Sequence, residues 1–329
     1  MTPELRVRPQ APAPGSSNVW ALILAGGDEK LEGSLMPGER ASDIPRQYYS
    51  LAGGASLLQR VLERAQQLVP REQLLVCVTE ADRRHWEPQL RSVSPRIVAQ
   101  QRDCGSGLST LLALHIIAKA DPRARVLGMT SDHFAGDGKA LNRAVRAAMA
   151  FAASGTERVL LLMMTRNQDY PSLGFFTAPS NYGPGLHPTR RLFELIDPQS
   201  NANLLCEAKL ADCGIFTGRV QSALRLYARQ APDTLRTMAS AVSCVSATLD
   251  LSALIAHLYE RAVKLDLLRD IFVPQSASLQ LLRVPYCDWS NTTPLAAQAR
   301  ILRTPRAQGV EPIIPAVTFE SDTTVAPNA

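Results

Sequence analysis

The chain has 329 residues, 46% of them hydrophobic and 20% charged, enough for one large or two modest globular domains; a disordered, collagen-like or disulfide-dense chain is excluded. Thirty-five Lys plus Arg against 30 Asp plus Glu leave a net charge of +5, spread along the chain. With no dense basic run, an anionic small ligand fits this balance and a nucleic-acid partner does not. The six cysteines (Cys77, Cys104, Cys206, Cys213, Cys244, Cys287) make no C-x-x-C pair and sit mostly in apolar runs. They predict neither a zinc knuckle nor a disulfide framework, and a reducing, cytoplasmic setting. No apolar run approaches the ~18 residues of a membrane span, and the Pro-rich start does not read as a secretory signal.

Residues 1–17, with Pro3, Pro9, Pro12 and Pro14 before Gly15-Ser16-Ser17, predict a flexible arm. Val19-Trp20-Ala21-Leu22-Ile23-Leu24 is a short apolar run stopped by Ala25-Gly26-Gly27, the pattern of a strand buried on both faces. Similar runs recur at 74–78, 125–129 and 158–164, and amphipathic stretches at 56–68, 107–120 and 139–153 lie between them. Strand and helix alternating in this way predict an α/β fold with a doubly wound, mostly parallel, Rossmann-like sheet, whose ligands bind at the carboxyl ends of strands. Beyond about residue 170 the alternation loosens into turn-rich sequence, then Cys213-Gly214-Ile215-Phe216 and more helix to about Arg269, a half expected to extend the sheet and cover it. A last strand is expected at 279–284. One domain is thus predicted over 18–303, with a fraying tail at 304–329. No internal repeat is visible.

Two adjacent glycines after the first strand let the backbone turn sharply and present N–H groups to phosphate oxygens. A plain strand-to-helix turn would use Gly26-Gly27 as well. The spacing is neither G-x-G-x-x-G nor that of a P-loop. A loop of roughly twenty residues follows, a length that is usually functional or disordered in a compact domain. It ends in Pro45-Arg46-Gln47-Tyr48, where the Arg46 guanidinium could hold two phosphate oxygens or simply be a solvated surface group. Asp132, just past the 125–129 run, stands where such a sheet places a functional carboxylate; its other reading is a helix cap.

Together, Trp20 to Gly27 and Pro45-Arg46-Gln47-Tyr48 resemble the opening of the sugar-phosphate nucleotidyltransferases, whose pattern is a strand, L-A-G-G-x-G-T-R-L and then P-K-Q-F or P-K-Q-Y. Later segments resemble the mannose-1-phosphate guanylyltransferase branch in order: 101–107, 125–133, Leu173-Gly174-Phe175, 213–216 and Cys287-Asp288-Trp289-Ser290-Asn291. The resemblance spans about Val19 to Arg303. It implies transfer of a nucleoside monophosphate, GMP from GTP, to a sugar-1-phosphate such as mannose-1-phosphate, with release of pyrophosphate. It implies Mg²⁺ as cofactor, held at Asp132 and at the position of Asn291, and catalytic roles for Arg46 and Asp132. It also implies nucleotide contacts at Gly26, Gly27, Gln47, Gly105 and Ser106, and sugar contacts at Gly174 and Asp212, the latter where the family usually has asparagine. His133 is expected to be a packed neighbour of the metal site. The partners are a nucleoside triphosphate and a sugar-1-phosphate, with no nucleic acid and no membrane, and a homo-oligomer is compatible with the reading.

Four positions depart from the family pattern. Glu29-Lys30-Leu31 replaces G-T-R, Arg46 replaces the P-K-Q lysine, Leu195-Ile196-Asp197-Pro198 replaces E-K-P, and Asn291 replaces the aspartate of W-S-D. Each lost charge contact would weaken transition-state stabilisation by roughly 2–4 kcal/mol. The alternative reading is therefore a catalytically impaired relative that binds a nucleotide or nucleotide sugar as a regulatory protein.

Overall fold

The computed structural model describes residues 18–27, 44–50, 54–154, 156–165, 174–177, 186–188, 191–194, 208–244, 256, 258–287, 289 and 290. The expected arm, the tail, Glu29, Lys30, Asp197, Asp288 and Asn291 lie outside them.

In chain order, β1 (Val19–Leu24) leads to a short turn at Arg46–Tyr48, α1 (Leu57–Gln66), β2 (Leu74–Thr79), α2 (Arg83–Leu90), β3 (Arg96–Gln100) and α3 (Gly105–Ala120). Then come β4 (Arg125–Thr130), β5 (Phe134–Ala135), α4 (Gly138–Ala153), β6 (Val159–Thr165), β7 (Gly174–Thr177), β8 (Leu186–Pro188) and β9 (Arg191–Glu194). The chain continues through β10 (Ala208–Arg219), α5 (Val220–Gln230), α6 (Pro232–Cys244), a wide turn at Leu267–Phe272, β11 (Leu279–Arg283) and β12 (Trp289–Ser290). The helices start where capping chemistry allows. Ser56 Oγ accepts from Gln59 N at 3.1 Å while Gln59 Oε1 accepts from Ser56 N at 2.9 Å, a reciprocal capping box. At the start of α4, Asp137 Oδ1 accepts from Ala140 N at 2.9 Å.

The main sheet runs β3-β2-β1-β4-β10-β6-β11-β8, with β7 joined to β10 and β9 joined to β7. β3, β2, β1 and β4 are mutually parallel, as are β6 and β11. The expected alternation is therefore present, together with α2 and β3, which periodicity alone did not reveal. β10 differs from expectation. The second half of the chain does not merely lengthen the sheet; it inserts β10 antiparallel between β4 and β6.

Side chains alternate across β1, and the two faces bury against different helices. Trp20, Leu22 and Leu24 share a core with Leu108, Leu111 and Leu112 of α3 and Val220 and Ala223 of α5. Val19, Ala21 and Ile23 pack with Leu58 and Leu62 of α1 and Leu141 and Val145 of α4. Each fully buried leucine contributes roughly 1.5–3 kcal/mol. Helix α3 is apolar nearly all round because it lies between the sheet and Met238 and Val242 of α6.

Strand register positions the site. Leu24 pairs with Thr130 across β1 and β4, so the turn after β1 and the segment after β4 leave the sheet side by side. Because β10 runs the other way, with Ile215 opposite Met129, its earlier residues reach this same edge.

Candidate active site

A cavity of about 350 Å³ opens at that edge, and its wall includes Gly26, Gly27, Gln47, Gly105, Ser106, Asp132 and Asp212. Seven of the ten residues expected from the sequence to bind or react are thus brought together. Of the other three, Arg46 and Gly174 are not among the described wall residues, and Asn291 lies outside the described residues.

The glycine turn is built from both sides. Ala25 N donates to Cys77 O at 2.8 Å, continuing the β1–β2 ladder by one step. Gly27 has φ +127°, a conformation that only glycine adopts readily. The side-chain amide of Gln47 donates to Ala25 O at 3.1 Å and Gly27 O at 3.2 Å, and the Tyr48 hydroxyl donates to Ala25 O at 2.7 Å. Gln47 thus shapes the turn besides facing the cavity. Arg46 occupies the preceding position of the same turn, and with about three residues per turn the two side chains leave in different directions.

Asp132 is reached through Ser131, whose N–H and hydroxyl donate to Leu24 O at 3.0 and 2.9 Å and tie the ends of β1 and β4 together. It is followed by β5, which pairs with β12, Phe134 lying opposite Ser290. Strand β5 rather than a helix follows it, α4 is capped by Asp137, and the Asp132 side chain stands 32% exposed on the wall. Its neighbour His133 lies with Nε2 3.5 Å from Asp132 Oδ1.

A register shift in β10 between Asp212 and Phe216 turns Asp212 toward the cavity. Gly214 makes the bend at φ +66°, and its N–H donates to Asp212 Oδ1 at 3.1 Å. Burial pushes the Asp212 carboxyl up to about 7, and the charges of Asp266 and Asp132 act in the same direction against its backbone hydrogen bonds. The β7–β10 register sets Phe175 opposite Ala211 and brings Gly174 to the same end of the pair as Asp212.

Gly105 and Ser106 open α3 beneath the segment 264–267. Gly107 N donates to Leu265 O at 2.7 Å and Leu265 N to Cys104 O at 2.9 Å. A Cβ on Gly105, at φ +85°, would lie 2.4 Å from Leu265 O. The Ser106 hydroxyl donates to Asp266 Oδ2 at 2.9 Å and accepts from Leu267 N at 3.0 Å. Asp103, Lys264 and Asp266 also line the cavity, with Lys264 Nζ 2.9 Å from Asp103 Oδ2. Sequence reasoning missed these three. Asp266 left only the local signal of a cap, its Oδ1 accepting from Arg269 N at 2.8 Å.

The wall is acidic: Asp103, Asp132, Asp212 and Asp266 share it with a single described lysine, a charge that a divalent cation would offset. Among the described residues no group of three ligating side chains forms a closed metal cage. An open site completed by substrate phosphates is the arrangement Mg²⁺ prefers.

A glycine turn and a strand-end aspartate converge at the carboxyl edge of a doubly wound α/β sheet, and this fold is shared with solved structures of sugar-phosphate transferases and related proteins. Among solved structures it is similar to a mannose-1-phosphate geranyltransferase from Thermus thermophilus, with TM-score 0.68 and 18% identity over 84% of this chain and 76% of that one. It is also similar to a mannose-6-phosphate isomerase from Helicobacter pylori, with TM-score 0.64 and 14% identity over 83% of this chain and 99% of the other. A UDP-glucose pyrophosphorylase complexed with UDP-glucose gives TM-score 0.53 and 10% identity over 86% and 98%. No family model matches the sequence, and no curated protein does. Among the described residues no helix is long and apolar enough to cross a membrane.

Proposed function

We propose that the chain is a nucleotidyltransferase that moves a nucleoside monophosphate from a nucleoside triphosphate, GTP by the motif pattern, to a sugar-1-phosphate of the mannose-1-phosphate type, releasing pyrophosphate. The observation that carries this reading is the convergence of Gly26, Gly27, Asp132 and Asp212 on one cavity. In this reading the N–H groups of the Gly26-Gly27 turn meet the triphosphate, and Gln47 holds the turn open for it. Gly105 and Ser106 receive the base. Asp212 and Gly174 receive the sugar, Asp212 accepting hydrogen bonds from its hydroxyls. Arg46 supplies positive charge from just outside the wall.

Asp132, with Asn291 as the second position of the motif pattern, would hold Mg²⁺. Bound there, the ion supplies charge neutralisation for the phosphates as the α-phosphorus is attacked in line. The remaining catalytic effect is positioning by a cavity whose parts are already hydrogen-bonded in place.

The acidic wall favours a second reading, a binding protein of impaired activity. Pyrophosphate release over a panel of triphosphates and sugar-1-phosphates, with products identified by mass, separates the two. Turnover that Asp132→Ala lowers at least a hundredfold supports the enzyme. No turnover with any pair, alongside thermal stabilisation by nucleotide, supports the binding protein.

A further inference from the structure

Residues 264–267 cross the start of α3 as a strap, and glycine lets them come close. A Cβ on Gly107 would lie 2.7 Å from Leu265 O, and one on Gly105 would lie 2.4 Å from the same atom. Leu265 accepts from Gly107 N at 2.7 Å and donates to Cys104 O at 2.9 Å. Upstream, the Arg102 guanidinium donates to Tyr259 O and Ala262 O, both at 2.8 Å. Tied at both ends, the strap presents its side chains to the cavity in a pre-organised arrangement.

Asp266 is the strap's carboxylate on the cavity wall. It is anchored at both oxygens, Oδ2 accepting from the Ser106 hydroxyl at 2.9 Å and Oδ1 from Arg269 N at 2.8 Å. Both donors are neutral. The neighbouring cations are engaged with other carboxylates, Lys264 Nζ with Asp103 Oδ2 and Arg269 Nε with Asp270 Oδ1, each at 2.9 Å. Among the described residues Asp266 therefore has no ion-pair partner. A carboxylate has about four acceptor positions, so acceptor capacity remains for a ligand that offers two N–H groups side by side. On its pairing edge guanine does so, from N1–H and the 2-amino group. Adenine and cytosine offer an amino group beside an acceptor, and uracil a single N–H between two carbonyls.

We propose that Asp266 reads the base, its carboxylate accepting from N1–H and the 2-amino group of guanine. The inference rests on the nucleotide-binding reading of the cavity, with the base at Gly105 and Ser106, and adds the residue that chooses between bases. Gly105 and Ser106 have little left with which to choose. Gly105 N donates to Asp103 Oδ1 at 2.9 Å, and the Ser106 hydroxyl and Gly107 N are engaged with the strap.

The test is a calorimetric titration of the intact chain with GTP, ITP, XTP, ATP and UTP, each with Mg²⁺, which needs no turnover. Hypoxanthine lacks the 2-amino group, and xanthine carries an oxygen in its place. Wild type should bind GTP roughly tenfold or more tightly than ITP, with XTP, ATP and UTP weaker than GTP. Asp266→Asn keeps an oxygen for Arg269 N; it should lose the preference for GTP over ITP and move the GTP-to-XTP ratio at least about tenfold toward XTP. The wild-type comparison depends on no variant. Equal wild-type affinity for GTP and ITP, a preference for another triphosphate, or a folded Asp266→Asn chain that still prefers GTP over ITP overturns the inference while nucleotide binding stands. A loss in Asp266→Asn that falls on mannose-1-phosphate, titrated in parallel, and not on the base overturns it in the same way. If no triphosphate binds, the nucleotide reading and the inference fail together.

Discussion

Replacing Asp212 with asparagine removes a charge from the cavity wall and keeps an oxygen that can accept from Gly214 N, at 3.1 Å in the native structure. The native carboxyl is pushed from 3.8 to about 7, first by burial and then by its acidic neighbours. Between those two values the folded protein holds a proton that the unfolded chain has shed, so stability falls as pH rises. This contribution is fully present below about pH 4 and is lost as pH passes 7. At 1.36 kcal/mol per unit the whole span is worth about 4 kcal/mol, and water in the cavity screens it toward about 2 kcal/mol. Asp212→Asn should therefore lie within about 1 kcal/mol of wild type near pH 4.5 and exceed it by about 2–4 kcal/mol at pH 8. In a chain of this size that is a midpoint difference of about 3–6 °C. Calorimetric unfolding of both proteins from pH 4.5 to 8.5, without nucleotide or metal, measures it. Two curves separated by a constant offset would refute the reasoning, because a packing effect does not depend on pH in this range.

Three further predictions follow from the packing around the site. Gly128→Ala places a Cβ 2.0 Å from the Phe216 ring, and urea unfolding should show a loss of about 2–3 kcal/mol. Gly105→Ala combines a strained φ of +85° with a 2.4 Å clash against Leu265 O, so hydrogen exchange at the amides of Leu265 and Leu267 should rise at least tenfold. Gln47→Ala unties the glycine turn at two carbonyls, whereas Arg46 lies off the described wall. Nucleotide affinity, read by calorimetry, should fall more for Gln47→Ala than for Arg46→Ala, with a loss of about 1–2 kcal/mol in the former.

Much of this molecule was legible in one dimension. The apolar runs, the amphipathic stretches, the Ser56 cap and the glycine turn each depend on a short window of chain, where side-chain period and backbone freedom act directly. Asp132 was findable for the same reason, since it lies just past a strand end. The insertion of β10 was not, because an antiparallel strand shares its local pattern with a parallel one and its neighbours are chosen by long-range pairing. That choice carried Asp212 to the edge occupied by Gly26 and raised its carboxyl. Contacts over great sequence distance completed the wall: Ser106 to Asp266 spans 160 positions, and His133 to Cys213 spans 80. The choice between Arg46 and Gln47 was likewise left to the tertiary structure, since the geometry of one tight turn decides which side chain faces the cavity. Sequence determined the βα framework and the turn that cradles a ligand; folding decided which charges face one another across it, because electrostatic coupling depends on distance in space and not on separation along the chain.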